Sequence, residues 1–315
     1  DLKVIVIGET IIDEYVDCQP VGMSAEDPTL VVTPIENSLF LGGAGIVAAH
    51  TRHAQANVEF VTVLGRDETA EYARGMFDKY RLSCTYFEDQ SRPTPRKRRF
   101  RADGKTLLRV NELRDHEIGK DIQDRIIQRI LDSIDQIDLL VFSDFNYGLL
   151  PQELVSLIVA ECDRHSVSVV ADSQSSSQIG DISRYQNCSL LTPTEREARI
   201  ATRNHEDGLV VLANQLREES SAKNSFIKLG PEGLLVHTER KKKDEFHTDK
   251  IAALNLVPKD IIGAGDSMLI SSAMIMAVGG NIWEAALIGS LASAIQVSRL
   301  GNTPLNINEL LQEIT

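Results

Sequence analysis

The sequence alternates short, mainly apolar runs with stretches of helical spacing. Four of the apolar runs end in glycine or aspartate, and they span residues 2–8, 58–65, 138–144 and 166–172. A strand buried on both faces is an unbroken apolar run of this kind, which is typical of parallel sheets. Isoleucines at helical spacing fill residues 118–137 between two of these runs. The alternation predicts an α/β fold with a mainly parallel sheet and helices on both faces.

Two stretches break this alternation. Residues 30–40 alternate weakly and predict an exposed strand or two, and residues 97–110 contain a crowded basic run that turns at Asp103-Gly104. We expect both stretches to form a small separate sheet over one edge of the main sheet. The basic run fits an edge strand that charge protects from aggregation. It fits equally a lid strand whose cations face a substrate phosphate.

Residues 258–266, Pro-Lys-Asp-Ile-Ile-Gly-Ala-Gly-Asp, are the most informative about function. Small residues allow residues 263–266 to be a tight loop that becomes the first turn of a helix. The first N–H groups of a helix lack internal partners and carry the positive end of its dipole, so we expect an anion site. Asp266 beside such a site fits a base that takes a proton from a hydroxyl attacking phosphorus. A glycine-rich helix start capped by aspartate is the other interpretation.

Composition and net charge exclude some kinds of binding partner. The net charge of −13 over 315 residues argues against nucleic acid or an anionic membrane as the main partner. The four cysteines lie far apart, without metal-ligand spacing, so neither structural zinc nor a disulfide framework is expected. With no signal-peptide pattern, these features predict a cytoplasmic protein. The chain begins at Asp1 rather than Met, which is compatible with a piece of a longer polypeptide.

Several helix ends carry recognisable signals. Asp67 is a predicted N-cap, and Asn281 with Glu284 forms a predicted capping box. The helix that this box opens is expected to reach Arg299, with Gly301 as its C-terminal cap.

The order of motifs resembles the PfkB/ribokinase family of carbohydrate kinases over nearly the whole chain. The shared motifs are Glu9 and Asp13 after the first strand, Gly42-Gly43, Gly65-x-Asp67, the turn from Gly230 to Gly233, and Asp260-x-x-Gly263-Ala264-Gly265-Asp266. Within the family, the chain resembles the kinase half of bifunctional ADP-heptose synthases, which phosphorylates a heptose 7-phosphate. That resemblance rests on Asp13-Glu-Tyr15, Thr94-x-x-Lys97-x-Arg99, Ser143-Asp144-Phe145-x-x-Gly148, Leu191-Thr-Pro193 and Leu300-Gly301.

The resemblance implies one ribokinase-like domain over residues 1–315, a three-layer α/β/α fold with a mainly parallel central sheet. Strands of a small β-sheet lid would be inserted at about 14–40 and 94–111. The family also implies ATP as phosphoryl donor, Mg²⁺, a monovalent cation such as K⁺, and a homodimer in which each lid packs on the other.

Roles for single residues follow from the same resemblance. Asp266 would be the catalytic base, and the N–H groups of Gly263, Ala264, Gly265 and Asp266 would form the anion hole. Residues implied to hold the sugar or its second phosphate are Asp13, Gly42, Gly43, Lys97 and Arg99. Residues implied to lie at the nucleotide are Thr194, Glu197, Lys228, Gly230 and Gly233. Glu197 would support Mg²⁺ through water, and Asp260 would help bind the monovalent cation that orders the anion-hole loop.

Five positions depart from the family pattern. Ile46 replaces a sugar-binding Asn, Tyr147 replaces a Lys, and Gln174 replaces the Lys of an Asp-Pro-Lys motif. Thr194 stands for the Asn of Asn-x-x-Glu, and Ile262 for a Thr before the anion-hole glycine. These positions cluster where substrate and nucleotide phosphates would be held.

Two functions therefore compete. The first is ATP-dependent transfer of a phosphoryl group to a hydroxyl of a sugar or sugar phosphate that resembles heptose 7-phosphate. The second is a catalytically weak or inactive kinase fold that serves as a sugar-phosphate-binding or assembly module. A dinucleotide-binding dehydrogenase is disfavoured, because no Gly-x-Gly-x-x-Gly follows the first strand.

Overall fold

The structure, a computed structural model, describes residues 2–175, 178–239 and 247–314. Its strands in chain order are β1 (Lys3–Gly8), β2 (Thr10–Met23), β3 (Leu30–Gly43), β4 (Asn57–Leu64), β5 (Ser83–Glu88), β6 (Arg96–Ala102), β7 (Lys105–Glu112), β8 (Leu139–Asp144), β9 (Ser168–Ser173), β10 (Leu190–Leu191), β11 (Asn224–Lys228), β12 (Leu234–Thr238) and β13 (Thr248–Ile251). Its α-helices are α1 (Ala44–His53), α2 (Glu68–Lys79), α3 (Lys120–Leu131), α4 (Gln152–Arg164), α5 (Glu195–Thr202), α6 (Leu209–Ser220), α7 (Ala264–Ala277), α8 (Ile282–Val297) and α9 (Ile307–Ile314).

The central sheet is mainly parallel, as the alternation of strands and helices predicts. Its strand order is β13-β12-β11-β10-β9-β8-β1-β4-β5. Every neighbouring pair from β11 to β5 is parallel, and the hairpin β11-β12 and the pair β12-β13 are antiparallel. The carboxyl ends of the parallel strands meet at one edge, where open α/β sheets bind ligands.

Two hydrophobic cores lie on opposite faces of this sheet. In β1, Ile5 and Ile7 pack with apolar residues of α3, α4 and α6, whereas Val4 and Val6 pack with those of α1, α2, α7 and α8. Because successive side chains of a strand point to opposite faces, one continuously apolar strand supplies both cores. The result is the expected three-layer α/β/α arrangement.

The lid is a separate four-stranded sheet of order β3-β2-β6-β7. The hairpin β2-β3 is inserted between β1 and α1, and the hairpin β6-β7 lies between β5 and α3. Both hairpins are antiparallel, and β2 pairs with β6 in parallel. The edge-strand interpretation of the basic run is wrong, because β7 returns along its free side and makes β6 an interior strand.

The helix-end signals are confirmed at two sites and wrong at one. Asp67 Oδ1 accepts the N–H of Ala70 at 2.8 Å, and the capping box that opens α8 is present. The structure ends α8 at Val297 and not at Arg299, because Ser298 keeps a right-handed conformation and closes the last turn itself. Gly301 lies beyond that cap. None of the helices in the described part of the chain is long and apolar enough to cross a membrane.

Candidate active site

The predicted anion site lies at the start of α7. Gly263 caps the helix in a left-handed conformation (φ +80°), and a Cβ atom there would collide with Asn302 Oδ1. Only glycine fits both the conformation and the space. Gly265 and Asp266 follow as the second and third helical residues, so their N–H groups have no acceptor within the helix. The loop therefore becomes the first turn of a helix, as the sequence predicts.

Asp266 is buried in this first turn, with 5% of its surface exposed. Its Oδ1 accepts a hydrogen bond of 3.2 Å from Gln174 Nε2. Burial, and then the negative charge of Asp172, raises the pKa of Asp266 from 3.8 to about 7, although Lys228 and Lys97 act in the opposite direction. A carboxyl group with a pKa near neutrality suits proton transfer at physiological pH.

A lysine from the central sheet borders the same helix start. Lys228 ends β11, and its Nζ lies 2.9 and 3.0 Å from the two carboxylate oxygens of Asp172 on β9. A Cβ atom on Gly265 would come within 3.1 Å of that Nζ. Burial lowers the pKa of Lys228, but the charges of Asp172 and Glu197 outweigh burial, and the net shift is upward. Lys228 is therefore a fixed positive charge beside the start of α7.

The lid sheet contributes a second group of charged side chains to the candidate site. Asp13 on β2 and Arg99 on β6 form an ion pair with 2.5 Å between Oδ1 and Nη1. Asn302 Nδ2 lies 3.4 Å from the other oxygen of Asp13, and a Cβ atom on Gly42 would collide with that oxygen. Glycine at this position lets the carboxylate lie against the backbone of β3. Gly43 follows in a left-handed conformation (φ +62°) and caps α1.

Lys97 lies beside Asp13 across the pairing of β2 with β6. Only 5% of its surface is exposed. Its Nζ lies 4.7 Å from the ring centre of Phe145 and 5.4 Å from that of Tyr147, which are cation–π contacts. Over residues 2–175, 178–239 and 247–314, Lys97 forms no salt bridge. It is a buried positive charge that forms no salt bridge with these residues, although it acts on Asp266 at longer range.

The basic run divides between two faces of β6. Lys97 and Arg99 point to the side of Asp13, whereas Arg96 and Arg98 point to the other side. There the Nε atoms of Arg96 and Arg98 donate to Glu14 at 2.6 and 2.7 Å. Strand alternation thus separates the cations that face the site from those that fasten the lid.

Thr194 and Glu197 open α5 with a capping box. Thr194 Oγ1 accepts the N–H of Glu197 at 3.2 Å, and Glu197 Oε2 accepts the N–H of Thr194 at 2.7 Å. The other oxygen of Glu197 accepts the N–H of Ser175 at 2.9 Å. Both residues thereby fix the loops that follow β9 and β10 at the carboxyl edge of the sheet.

The two glycines of the β11–β12 turn are needed for different reasons. Gly233 (φ +97°) packs so closely on β13 that a Cβ atom would collide with Ile251 O. Gly230 (φ +59°) has open space where its Cβ atom would be. Gly233 therefore serves packing, whereas at Gly230 only the left-handed conformation favours glycine.

Glu9 has a structural role that the sequence did not reveal. Its carboxylate oxygens accept the N–H groups of Phe145 and Tyr147 at 2.9 and 3.0 Å. Burial, and then the charge of Asp144, raises the pKa of Glu9. Glu9 thus holds the loop whose aromatic rings lie against Lys97.

Asp260 lies in the segment before α7, and three groups of the chain donate to its carboxylate. Oδ2 accepts the hydroxyl of Tyr15 at 2.6 Å and the N–H of Gly301 at 3.0 Å. Oδ1 accepts the N–H of Ile262 at 3.1 Å. Asp260 therefore joins the lid, the anion-hole loop and the segment after α8.

The five residues that differ from the family pattern have defined surroundings in this structure. Gln174 binds Asp266, Thr194 caps α5, and Ile262 donates its N–H to Asp260. Tyr147 is buried below Lys97, and Ile46 is fully buried in α1.

Comparison with known proteins identifies the class. Residues 1–308 match the model of the pfkB family carbohydrate kinases. The chain belongs to this family and is a carbohydrate kinase, as the motifs predict. Among curated relatives, the bifunctional protein HldE of Helicobacter hepaticus is 28% identical over 316 residues, which cover 99% of this chain. The chain spans 64% of the length of that relative.

Solved structures show the same fold. The ribokinase of Thermotoga maritima superposes with a TM-score of 0.75 at 22% identity and covers 100% of this chain and 99% of its own. The ribokinase of Arabidopsis thaliana, complexed with ribose and ATP, superposes with a TM-score of 0.74 at 14% identity and covers 99% and 97%. The chain therefore has the ribokinase-like α/β fold with a separate small sheet.

Proposed function

We propose that this chain transfers the γ-phosphoryl group of ATP to a hydroxyl of a sugar phosphate that resembles heptose 7-phosphate. One observation carries the proposal. A carboxyl group with a pKa near 7, Asp266, lies in the first turn of a helix whose free N–H groups are bordered by Lys228. This combination joins a proton acceptor to a site for negative charge.

The chemistry follows from these groups. Asp266 accepts the proton of the sugar hydroxyl while the oxygen of that hydroxyl attacks the γ-phosphorus. The bond between the γ-phosphorus and the β–γ bridging oxygen breaks, and ADP is released. The N–H groups of Gly265 and Asp266 and the ammonium group of Lys228 stabilise the charge on the transferring group. Gly263 and Ala264 complete the turn that presents these donors, and Gly230 leaves space for the nucleotide.

The lid supports a phosphorylated acceptor. Lys97 is a buried cation that forms no salt bridge among the described residues, and Arg99 extends the same face of β6. A phosphate on the acceptor would satisfy Lys97 by a charge-assisted hydrogen bond. Asp13, held against Gly42, presents a carboxylate to the sugar hydroxyls, and Gly43 leads the chain into α1.

The donor set also fits magnesium. The negative charge of Glu197 contributes to the raised pKa of Asp172, and that of Asp172 contributes to the raised pKa of Asp266. A nearby divalent cation would relieve this repulsion. Mg²⁺ prefers oxygen ligands, keeps several waters and is commonly held by one or two carboxylates plus substrate phosphates. Bound there with ATP, it would neutralise phosphate charge, with Glu197 acting through water.

The alternative is a weak or inactive kinase fold that binds a sugar phosphate or a partner. Ile46, Tyr147 and Gln174 favour it, because they replace an Asn and two Lys residues by which the family pattern would hold its ligands. Binding without turnover would be its signature.

Turnover across a panel of heptose and hexose phosphates with ATP and Mg²⁺ tests the proposal. We expect ADP release and a new phosphate ester by phosphorus NMR, and a loss of about 10²–10⁴-fold in Asp266→Asn. Asp78→Asn, a change of an exposed aspartate on α2, is the matched control. Rates that do not differ between wild type and Asp266→Asn for any acceptor would reject the kinase, and calorimetric binding without turnover would favour the alternative.

We also propose that two lids form a homodimer. Exposed apolar side chains on the lid support this, and they include Val21, Met23, Ile35 and Leu108. Sedimentation of the wild type as a dimer and of Ile35→Lys as a monomer is the expected result. A monomeric wild type would reject this part of the proposal.

A further inference from the structure

The loop before α7 is closed by a side chain that the family resemblance does not assign. Gln296 lies in α8 and is fully buried. Its Nε2 lies 3.3 Å from the carbonyl oxygen of Ile262 and 3.0 Å from that of Gly301. Ile262 immediately precedes the anion-hole glycine, and Gly301 follows α8. One amide group therefore joins the two segments that meet at Asp260.

The orientation of this amide follows from hydrogen-bond chemistry. Both neighbours of Nε2 are carbonyl oxygens, which only accept, and an amide nitrogen has two hydrogens to donate. The opposite orientation would bring Gln296 Oε1 against both carbonyl oxygens. That oxygen has no partner among the described residues, so the amino end is the bonded end.

A monovalent cation, which the resemblance places beside Asp260, does not fit this arrangement. Carbonyl oxygens bind K⁺ by replacing its hydration shell. Here the carbonyl oxygens of Ile262 and Gly301 already accept from Gln296, and both carboxylate oxygens of Asp260 already accept from the chain. The amide hydrogens point at the oxygens that a cation would need.

We propose that the side-chain amide of Gln296 takes the place of the monovalent cation, so that the anion-hole loop of this chain is ordered without K⁺. The amide hydrogens supply from within the fold the positive charge that would otherwise come from a bound ion. Gln296 is thus a positioning residue, since it acts on Asp266 through the loop. The effect on rate rests on the proposed kinase function, whereas the effect on folding does not.

The wild type tests the proposal in chloride salts of K⁺, Na⁺ and tetramethylammonium at equal ionic strength. We expect unfolding temperatures that agree within about 1 °C, because no cation binds selectively to the folded state. Rates of phosphoryl transfer should agree within about twofold. A rise of several degrees in K⁺, or a K⁺-dependent rate, would overturn the proposal. A chain that transfers no phosphoryl group in any salt still gives the thermal result.

Gln296→Glu sharpens the test. The carboxylate would face two carbonyl oxygens and create the all-oxygen site that the amide prevents. We expect a lower unfolding temperature in tetramethylammonium and a selective recovery of about 3 °C or more in K⁺. Gln123→Glu is the matched control, because Gln123 is a buried glutamine of α3 that donates to the carbonyl oxygen of Ile118 at 2.8 Å. It should be destabilised equally in all three salts.

A folded Gln296→Glu that responds alike to all three salts would contradict the proposal. Should Gln296→Glu not fold, Gln296→Ala replaces it, since this variant frees the same carbonyl oxygens for a cation. Its selective stabilisation by K⁺ supports the proposal, and its indifference to K⁺ opposes it.

Discussion

Asp266 at the start of α7 and Glu9 after β1 are both buried carboxylic acids whose pKa the fold raises, mainly by burial. Their partners differ. Glu9 accepts two backbone N–H groups and is enclosed by the loop that it holds. Asp266 accepts the side-chain amide of Gln174 and shares its surroundings with Lys228 and with a helix start.

The comparison teaches that a raised pKa does not by itself identify a catalytic group. Structural carboxylates are perturbed by the same burial as catalytic ones. What distinguishes Asp266 is the helix start and the Lys228 ammonium group near it. What distinguishes Glu9 is that both its oxygens accept backbone N–H groups. Rate and stability should therefore respond oppositely at the two positions.

The largest expected effect is on rate. Asp266→Asn removes the proton acceptor and should lower kcat by about 10²–10⁴-fold. Glu9→Gln leaves the reacting groups in place, so its kcat should fall far less. Steady-state transfer from ATP to one acceptor measures both variants, and thermal unfolding shows that each is folded. Equal losses in the two variants would break the comparison.

Lys228→Met should have the next largest effect. Loss of a charge aimed at the transferring group should lower kcat by about 10²–10³-fold. The variant also leaves Asp172 buried without a partner, which should cost about 3–5 kcal/mol of stability. The double variant Lys228→Met, Asp172→Asn separates the effect on kcat from the effect on stability. It should regain stability in urea unfolding but should not regain activity. Regained activity would show that Lys228 matters only as the partner of Asp172.

Lys97→Met should act on substrate affinity. A charge-assisted hydrogen bond to phosphate contributes about 1.5–3 kcal/mol, so KM for a sugar phosphate should rise by about 10–100-fold with little change in kcat. Arg98→Met, on the opposite face of β6, is the matched control. The same rise in KM for both variants would mean that the lid as a whole was disturbed.

Glu9→Gln should show the smallest effect, and it should be on stability. An amide offers one acceptor where the carboxylate offers two, so one buried N–H of Phe145 or Tyr147 loses its partner. That loss should lower the free energy of unfolding by about 1–3 kcal/mol in urea titrations. The exposed Glu153→Gln on α4 should change it by less than about 0.5 kcal/mol. An unchanged free energy of unfolding in Glu9→Gln would show that Glu9 does not stabilise the loop of Phe145 and Tyr147.

Local signals predicted much of the fold and the glycine-rich start of α7. The apolar runs that became β1, β4, β8 and β9 are local, and so are the cap at Asp67 and the glycine turn before Asp266. The basic run suggested a lid strand as one of two interpretations, and strand alternation places Lys97 and Arg99 on the face of Asp13. In each case the information lies within a few neighbouring residues.

Long-range partnerships could not be predicted in the same way. Lys228 and Asp172 are 56 residues apart, and Asn302 is 289 residues from Asp13. No local pattern marks such pairs, because they exist only once the sheet and α8 have assembled. Gln296 carried no signal either, since a glutamine inside an apolar helix does not reveal which carbonyl groups it will meet.

The pH dependence of kcat/KM tests most directly whether Asp266 is the base. Asp266 must be ionised to accept a proton, so kcat/KM should fall about tenfold per pH unit below its pKa of about 7. Gln174→Leu removes a hydrogen bond that favours the ionised form, so this acid limb should move to higher pH, while Glu9→Gln should leave it unmoved. An acid limb that is absent, that ignores Gln174→Leu, or that moves with Glu9→Gln would contradict the account.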